Sequence, residues 1–418
     1  MIRRLLPALL LWAVPVMLTA SAQKSDNADT GILRMDYVLS GKSGSKPEIS
    51  LRKVVSQPKR RCFPRGAELP LEGNGRITVT RHGGGDTIYR QAFSTLFQEW
   101  METGDTTVRA FENSFVIPRV SEPVDVELLL SDSRHRTTAV HRTTVDPADI
   151  LIAPSRNPHY DTLTIHRGNY PGPRIGVAIL AEGYTECEMD KFVDAAKRAT
   201  AAILSHEPFF RFADRFDFIA VKSVSEDSGV SVPKNNEWKD TAFGSHFSTF
   251  YSDRYLTTPN VYAIHDAMSD VEAEHIIVLA NTDTYGGGGI FNSYTLTAAG
   301  NKYFEPVVVH EFGHSFGGLG DEYFYENDVM SDTYPLDVEP WEPNITTLVD
   351  FPSKWQDMVD EKTPGVGVFE GAAYSTLGIY RPADYCRMRV NDYPAFCPVC
   401  QRALERLILF YTEPKDSK

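Results

Sequence analysis

The segment Val307–Tyr323, VVVHEFGHSFGGLGDEY, restricts this chain more than any other stretch. His310 and His314 stand four residues apart, with Glu311 directly after the first. On an α-helix, positions i and i+4 share a face, so the two imidazoles can close on one metal ion. Zinc suits the pair because it takes neutral imidazole nitrogens in a tetrahedral shell and keeps one position open when the protein supplies only three ligands. Glu311 then stands beside that position, where a carboxylate can take a proton from an attacking water. A helix is expected here: Pro306 is tolerated in a first turn, and Val307, Val308, Val309 and Phe312 give the segment a largely buried character. Gly317 and Gly318 stop it and turn the chain, so a third ligand just beyond can swing back. Asp321 and Glu322 are the candidates.

The pattern H-E-x-x-H-x-x-x-G-L-x-D-E-Y is carried by His310, Glu311, His314, Gly318, Leu319, Asp321, Glu322 and Tyr323. It resembles the signature of the IgA peptidase (M64) family of secreted bacterial zinc metallopeptidases. The resemblance implies a metzincin-like peptidase domain, in which a third ligand follows a glycine turn and a methionine turn lies beneath the metal. In the common metzincin form that ligand is a His at the position occupied here by Gly320, and the carboxylate falls one residue later. The resemblance therefore implies Asp321 as third ligand, Met388 as the methionine of the turn, and a separate domain ahead of the peptidase domain.

With 418 residues the chain is long enough for two domains after processing. A formal charge of −14 and a pI near 5.3 argue against nucleic acid or an anionic membrane surface as the main partner. Met1 to Ala22 has a basic start at Arg3 and Arg4, an apolar run from Leu5 to Leu18 and a small-residue cleavage site, the pattern of a secretory signal peptide. No Cys follows the apolar run, which argues against a lipoprotein, so an exported protein, secreted or periplasmic, is expected without stable membrane insertion. Of the five cysteines, Cys62, Cys187, Cys386, Cys397 and Cys400, an odd one must stay free or pair between chains. A disulfide from Cys386 to Cys397 or Cys400 is expected. A redox role for Cys397-x-x-Cys400 needs a thioredoxin-like βαβ context, and a zinc knuckle needs a second ligand pair; the sequence displays neither.

From about residue 31 to 149, short alternating stretches separated by Gly, Ser, Asp and Pro clusters predict a small antiparallel β-sandwich, a module that supports the domain after it. A linker is expected over 151–169. Beyond it, RIGVAILA (174–181), a helix over 188–206, FDFIAVKSV (216–224) and HIIVLA (275–280) alternate strands with a helix and predict a mostly parallel sheet. The fold class is thus α/β (α+β): signal peptide 1–22, β-sandwich 23–150, linker 151–169, catalytic domain 170–418. The glycine run at 286–289 lacks the Gly-Lys-Ser or Gly-Lys-Thr of a phosphate cradle and reads as a flexible turn into an edge strand, with 290–297 as an open edge where an extended peptide could pair. The acidic stretch 326–350 reads as a solvated loop rather than a calcium site. A helix is expected over 399–411.

The sequence reading is an exported zinc endopeptidase acting on extracellular protein or peptide. His310, His314 and Asp321 hold Zn2+ and Glu311 is the general base. Tyr323, Tyr374, Tyr380 and Tyr385 are candidate oxyanion partners. Two rivals remain: a peptidase taking its third ligand from a Glu in the 339–361 region, and an inactive adhesion or glycan-binding protein on a peptidase scaffold. Substrate preference and oligomeric state are not encoded in these motifs.

Overall fold

The computed structural model describes residues 31–57, 67–156, 158–324 and 334–413. The expected signal peptide lies outside them, as does Cys62.

The first part of the chain forms β1 (Ile32–Gly41), β2 (Glu48–Gln57), β3 (Gly75–Arg81), β4 (Thr87–Phe93), α1 (Leu96–Glu102), β5 (Arg109–Pro118), β6 (Val124–Ser131) and β7 (Thr137–Val145). Alternating burial along β3 and β6 has the period of two that a half-buried strand requires. β5, β1 and β2 form one antiparallel sheet, and β4, β3, β6 and β7 a second. Their inner faces share one core that includes Met35, Tyr37, Ile77, Phe115 and Leu128.

Within the stretch expected to be a linker, β8 (Ala153–Pro154) adds to β2, and β9 (Thr162–Arg167) joins the sheet of the second part. That part continues with β10 (Ile175–Glu182), α2 (Met189–Leu204), β11 (Phe216–Val221), α3 (Val261–Ala267), β12 (His275–Ala280), β13 (Gly287–Ile290), β14 (Tyr294–Ala298) and α4 (Phe304–Gly317). After it come α5 (Gln356–Asp360), the hairpin β15 (Phe369–Ala372) and β16 (Ser375–Arg381), and α6 (Pro398–Thr412). The six-stranded sheet has the order β13-β14-β12-β10-β11-β9. Its four inner strands are parallel and the two at its edges antiparallel. β10 and β12 are buried at every position, as sheet strands covered on both faces must be. One face packs on α2, α4 and α6, the other on α3 and residues 243–256. Within 243–256 the chain forms only a short 3-10 turn at Thr249–Tyr251, with left-handed backbone at Phe250 and Tyr251.

The expected open edge at 290–297 is corrected by this topology. Tyr294–Ala298 is interior, flanked by β12 and β13, and the edge strand is Gly287–Ile290. Even that edge is partly taken, because Tyr255 bridges to Gly287.

Candidate metal centre

α4 is apolar nearly all round, and its burial follows: Val308, Val309, Phe312 and Phe316 are essentially inaccessible. It stops where the sequence places its glycines. Gly318 adopts left-handed backbone (φ 58°), and the N–H groups of Gly318 and Leu319 reach back to His314 O (2.9 Å) and Gly313 O (3.2 Å). A side chain at Gly318 would also strike Leu71 and Trp341, so the turn cannot accept another residue without displacing both.

The chain then returns beneath its own helix. Backbone hydrogen bonds hold 320–323 on two sides: Ala373 N–H to Asp321 O (2.9 Å), Tyr374 N–H to Tyr323 O (3.1 Å) and Glu322 N–H to Met388 O (2.9 Å). Asn344 clamps Gly320 through both its N–H and its carbonyl. Successive side chains of an extended segment point to opposite faces. Asp321 therefore turns toward the histidines and Glu322 away from them.

Three ligand atoms converge. His310 Nε2 and His314 Nε2 are 3.1 Å apart, and Asp321 Oδ1 lies 3.1 Å from the first and 3.2 Å from the second. Nitrogen and oxygen ligands of a tetrahedral zinc lie about 3.3 Å from one another, so the triangle has the size of three zinc ligands. The protons are placed accordingly. His310 Nδ1 donates to Arg387 O (3.0 Å) and His314 Nδ1 to Leu319 O, since a carbonyl can only accept. Each Nδ1–H thus leaves its Nε2 lone pair aimed at the shared point, the usual outer support of a metal-binding histidine. Of the three alternatives in the 339–361 segment, Glu339 and Glu342 are engaged elsewhere, by the Thr347 hydroxyl with the Asp350 N–H and by the Tyr334 hydroxyl, and Glu361 is exposed at the end of α5.

His314 and Asp321 perturb one another strongly. Burial alone would lower His314, but the Asp321 carboxylate outweighs it and pushes His314 up to about 9. Burial would raise Asp321; the imidazoles hold it well below the usual carboxylate range. Glu311, beside them on α4, is pushed up by burial, with the two imidazoles partly offsetting the shift. Its carboxylate lies close to Gly287, where an added side chain would come within 3.1 Å of Oε1.

Of the four tyrosines, Tyr374 donates its hydroxyl to Asp321 Oδ2 (2.6 Å), and the Tyr323 hydroxyl lies 3.4 Å from that of Tyr374. Tyr380 pairs with Thr346 in a β-bridge, and Tyr385 is exposed and stacked on Tyr393. Met388 is fully buried under α4, so that a side chain at Gly313 would meet its sulfur at 2.8 Å. Two residues carried no sequence signal. Glu99 of α1 hydrogen-bonds the Tyr255 hydroxyl; burial lifts its carboxyl to about 7 despite that bond, and it feels the charges of His314, Asp321 and Glu311. The first part of the chain thus acts electrostatically on the candidate site, an influence that no local pattern could announce.

Family-level comparison matches residues 164–365 and 360–408 to IgA Peptidase M64, and residues 25–142 to the Peptidase M64 N-terminus. The chain belongs to the IgA peptidase M64 family. No curated protein matches it. The division of the two family matches follows the sandwich and the six-stranded sheet, and the convergent histidines and Asp321 lie in the peptidase part of this M64 chain. No helix among the described residues is long and apolar enough to cross a membrane.

Proposed function

We propose that this M64 peptidase is a zinc-dependent endopeptidase of metzincin-like architecture, with His310, His314 and Asp321 as ligands and Glu311 as general base. The observation that carries the reading is the convergence of two Nε2 lone pairs and one carboxylate oxygen, at about 3.1–3.2 Å, on a point beside the half-buried Glu311. Met388 under the helix and the carboxylate arriving after a glycine turn support the metzincin-like assignment. Bound zinc would supply a Lewis acid that lowers the pKa of an attacking water and polarises the scissile carbonyl. Glu311 would take the proton of an attacking water and deliver it to the leaving amine nitrogen, and burial raises its pKa in the direction that favours the second transfer. No covalent acyl-enzyme is required. A purely adhesive role would have no use for a carboxylate base beside the ligands.

Export as a secreted or periplasmic protein, through the signal peptide at 1–22, and extracellular protein or peptide as substrate belong to the same proposal. The test is Glu311→Gln in the mature chain, assayed on a mixed peptide library. We expect zinc content to be unchanged and turnover to fall by at least about a thousandfold. A variant that retains wild-type cleavage removes Glu311 from the mechanism; loss of zinc would instead make it a ligand.

A further inference from the structure

On the far side of the 321–322 dipeptide lies a second convergence. We propose that Glu322, Cys386, Cys397 and Cys400 form a second, structural site for a tetrahedral thiolate-binding divalent cation, zinc. The four ligand atoms lie within 4.8 Å of one another and all four residues are buried. Cys386 Sγ is 3.8 Å from Cys400 Sγ, and Glu322 Oε1 is 3.0 Å from Cys400 Sγ and 3.9 Å from Cys397 Sγ. Thiolates around a tetrahedral zinc are about 3.8 Å apart, so the sulfurs already have the spacing of ligands on one ion. The expected disulfide is corrected by the same distances, since the three cysteines are unbonded.

Two further observations point to a cation. Glu322 is wholly inaccessible, and its Oε2 has no hydrogen-bond partner among the described residues, a costly state for a buried carboxylate. Asn344 donates to Oε1 (2.9 Å), which orients the group toward the sulfurs without neutralising it. Backbone N–H groups also face the sulfur ligands, as around sulfur-bound metals: Cys397 N–H lies 3.2 Å and Met388 N–H 3.5 Å from Cys386 Sγ. Cys397 is the N-cap of α6 and Cys400 stands in its first turn, where the positive end of the helix favours thiolate.

The sequence made a knuckle unattractive because Cys397-x-x-Cys400 lacked a second pair. The fold supplies that pair from Cys386 and Glu322. Such an ion would staple α6 to the loop that carries Met388 and Arg387 O, which accepts from His310, and to the segment that carries Asp321. It lies outside the proposed peptidase reading, and either can fail alone.

The decisive experiment uses the full mature chain, purified under reducing conditions and loaded first with zinc, then with cobalt. Wild type should hold two zinc ions per chain. The double variant His310→Ala/His314→Ala should hold one, and its cobalt form should show a sulfur-to-metal charge-transfer band that Cys400→Ser abolishes. Should the cysteine variant not fold, X-ray absorption on the wild-type zinc protein gives the same answer, with a sulfur shell expected at about 2.3 Å. A double variant that binds no zinc, a wild-type spectrum without sulfur, or an intact mass that reports a Cys386–Cys400 disulfide would each overturn the proposal.

Discussion

Asp321 is held at both ends of its carboxylate. Oδ1 faces the imidazoles, while Oδ2 accepts the Tyr374 hydroxyl at 2.6 Å. Tyr374 is a positioning residue: it fixes which oxygen is offered to the metal. Tyr374→Phe should therefore weaken zinc binding roughly 10–100-fold, the range for losing an outer partner of a metal ligand, while changing stability little. Competition against a chromophoric chelator measures it, and an unchanged affinity would mean that Asp321 needs no such support. His310, Glu311 and His314 were legible in the sequence because helical periodicity alone sets their relation. Tyr374 was singled out only as one of four oxyanion candidates; its bond to Asp321 was hidden, since it stands 53 positions away and reaches that carboxylate through left-handed backbone at Ala373 and Tyr374. The separation of Asp321 from Glu322 was also hidden. Adjacent acids look interchangeable until the backbone pairing of 320–323 gives them opposite faces.

The contact between β13 and α4 explains the glycine run. A side chain at Gly289 would lie 2.2 Å from Glu311 O and 2.9 Å from His314 Cβ, so the strand can approach the helix only without one. The sequence reading assigned these glycines to flexibility, whereas their role is close packing. Gly289→Ala meets backbone that cannot rotate away, and should cost about 3 kcal/mol, the upper end for an overpacked site. Urea denaturation followed by far-ultraviolet circular dichroism measures this, and a loss under about 1 kcal/mol would show that β13 can lift off the helix. Strands β10, β11 and β12 were legible from short apolar runs, and α2, α4 and α6 from their lengths and bounding residues. β9 was obscured because four of its six residues are exposed at a sheet edge and it is flanked by Pro and Gly, so it resembles a linker.

At the scale of the whole chain, the two parts are joined by buried polar contacts. Arg34 is inaccessible and pairs with Asp36 in its own sheet and Asp266 across the boundary (2.8 Å). Tyr262 donates to Tyr37 O (2.7 Å), Gln57 to His265 O (2.8 Å) and Asn292 to Ala92 O (2.8 Å). Such pairings are invisible in sequence, which is why the first part read only as a supporting module. Acid sensitivity has an identifiable contributor in the core. His275 of β12 packs against Phe316 and Tyr411, and burial pushes its pKa down to about 3. The unfolded chain protonates it near pH 6.5, so its neutral-state stability is complete above that pH. Below it, roughly 1.4 kcal/mol is lost per pH unit until about pH 3. His275→Leu should flatten the stability profile between pH 6 and about 4, as read from denaturation midpoints; an unchanged slope would assign the acid limb to other groups.

Anomalous diffraction at the zinc edge, from crystals of the full mature chain grown with zinc, tests the central claim most directly. The account expects a peak about 2.0–2.2 Å from His310 Nε2, His314 Nε2 and an Asp321 oxygen together. A map with no density between those three groups, or with a metal ligated there by Glu322 in place of Asp321, would contradict it.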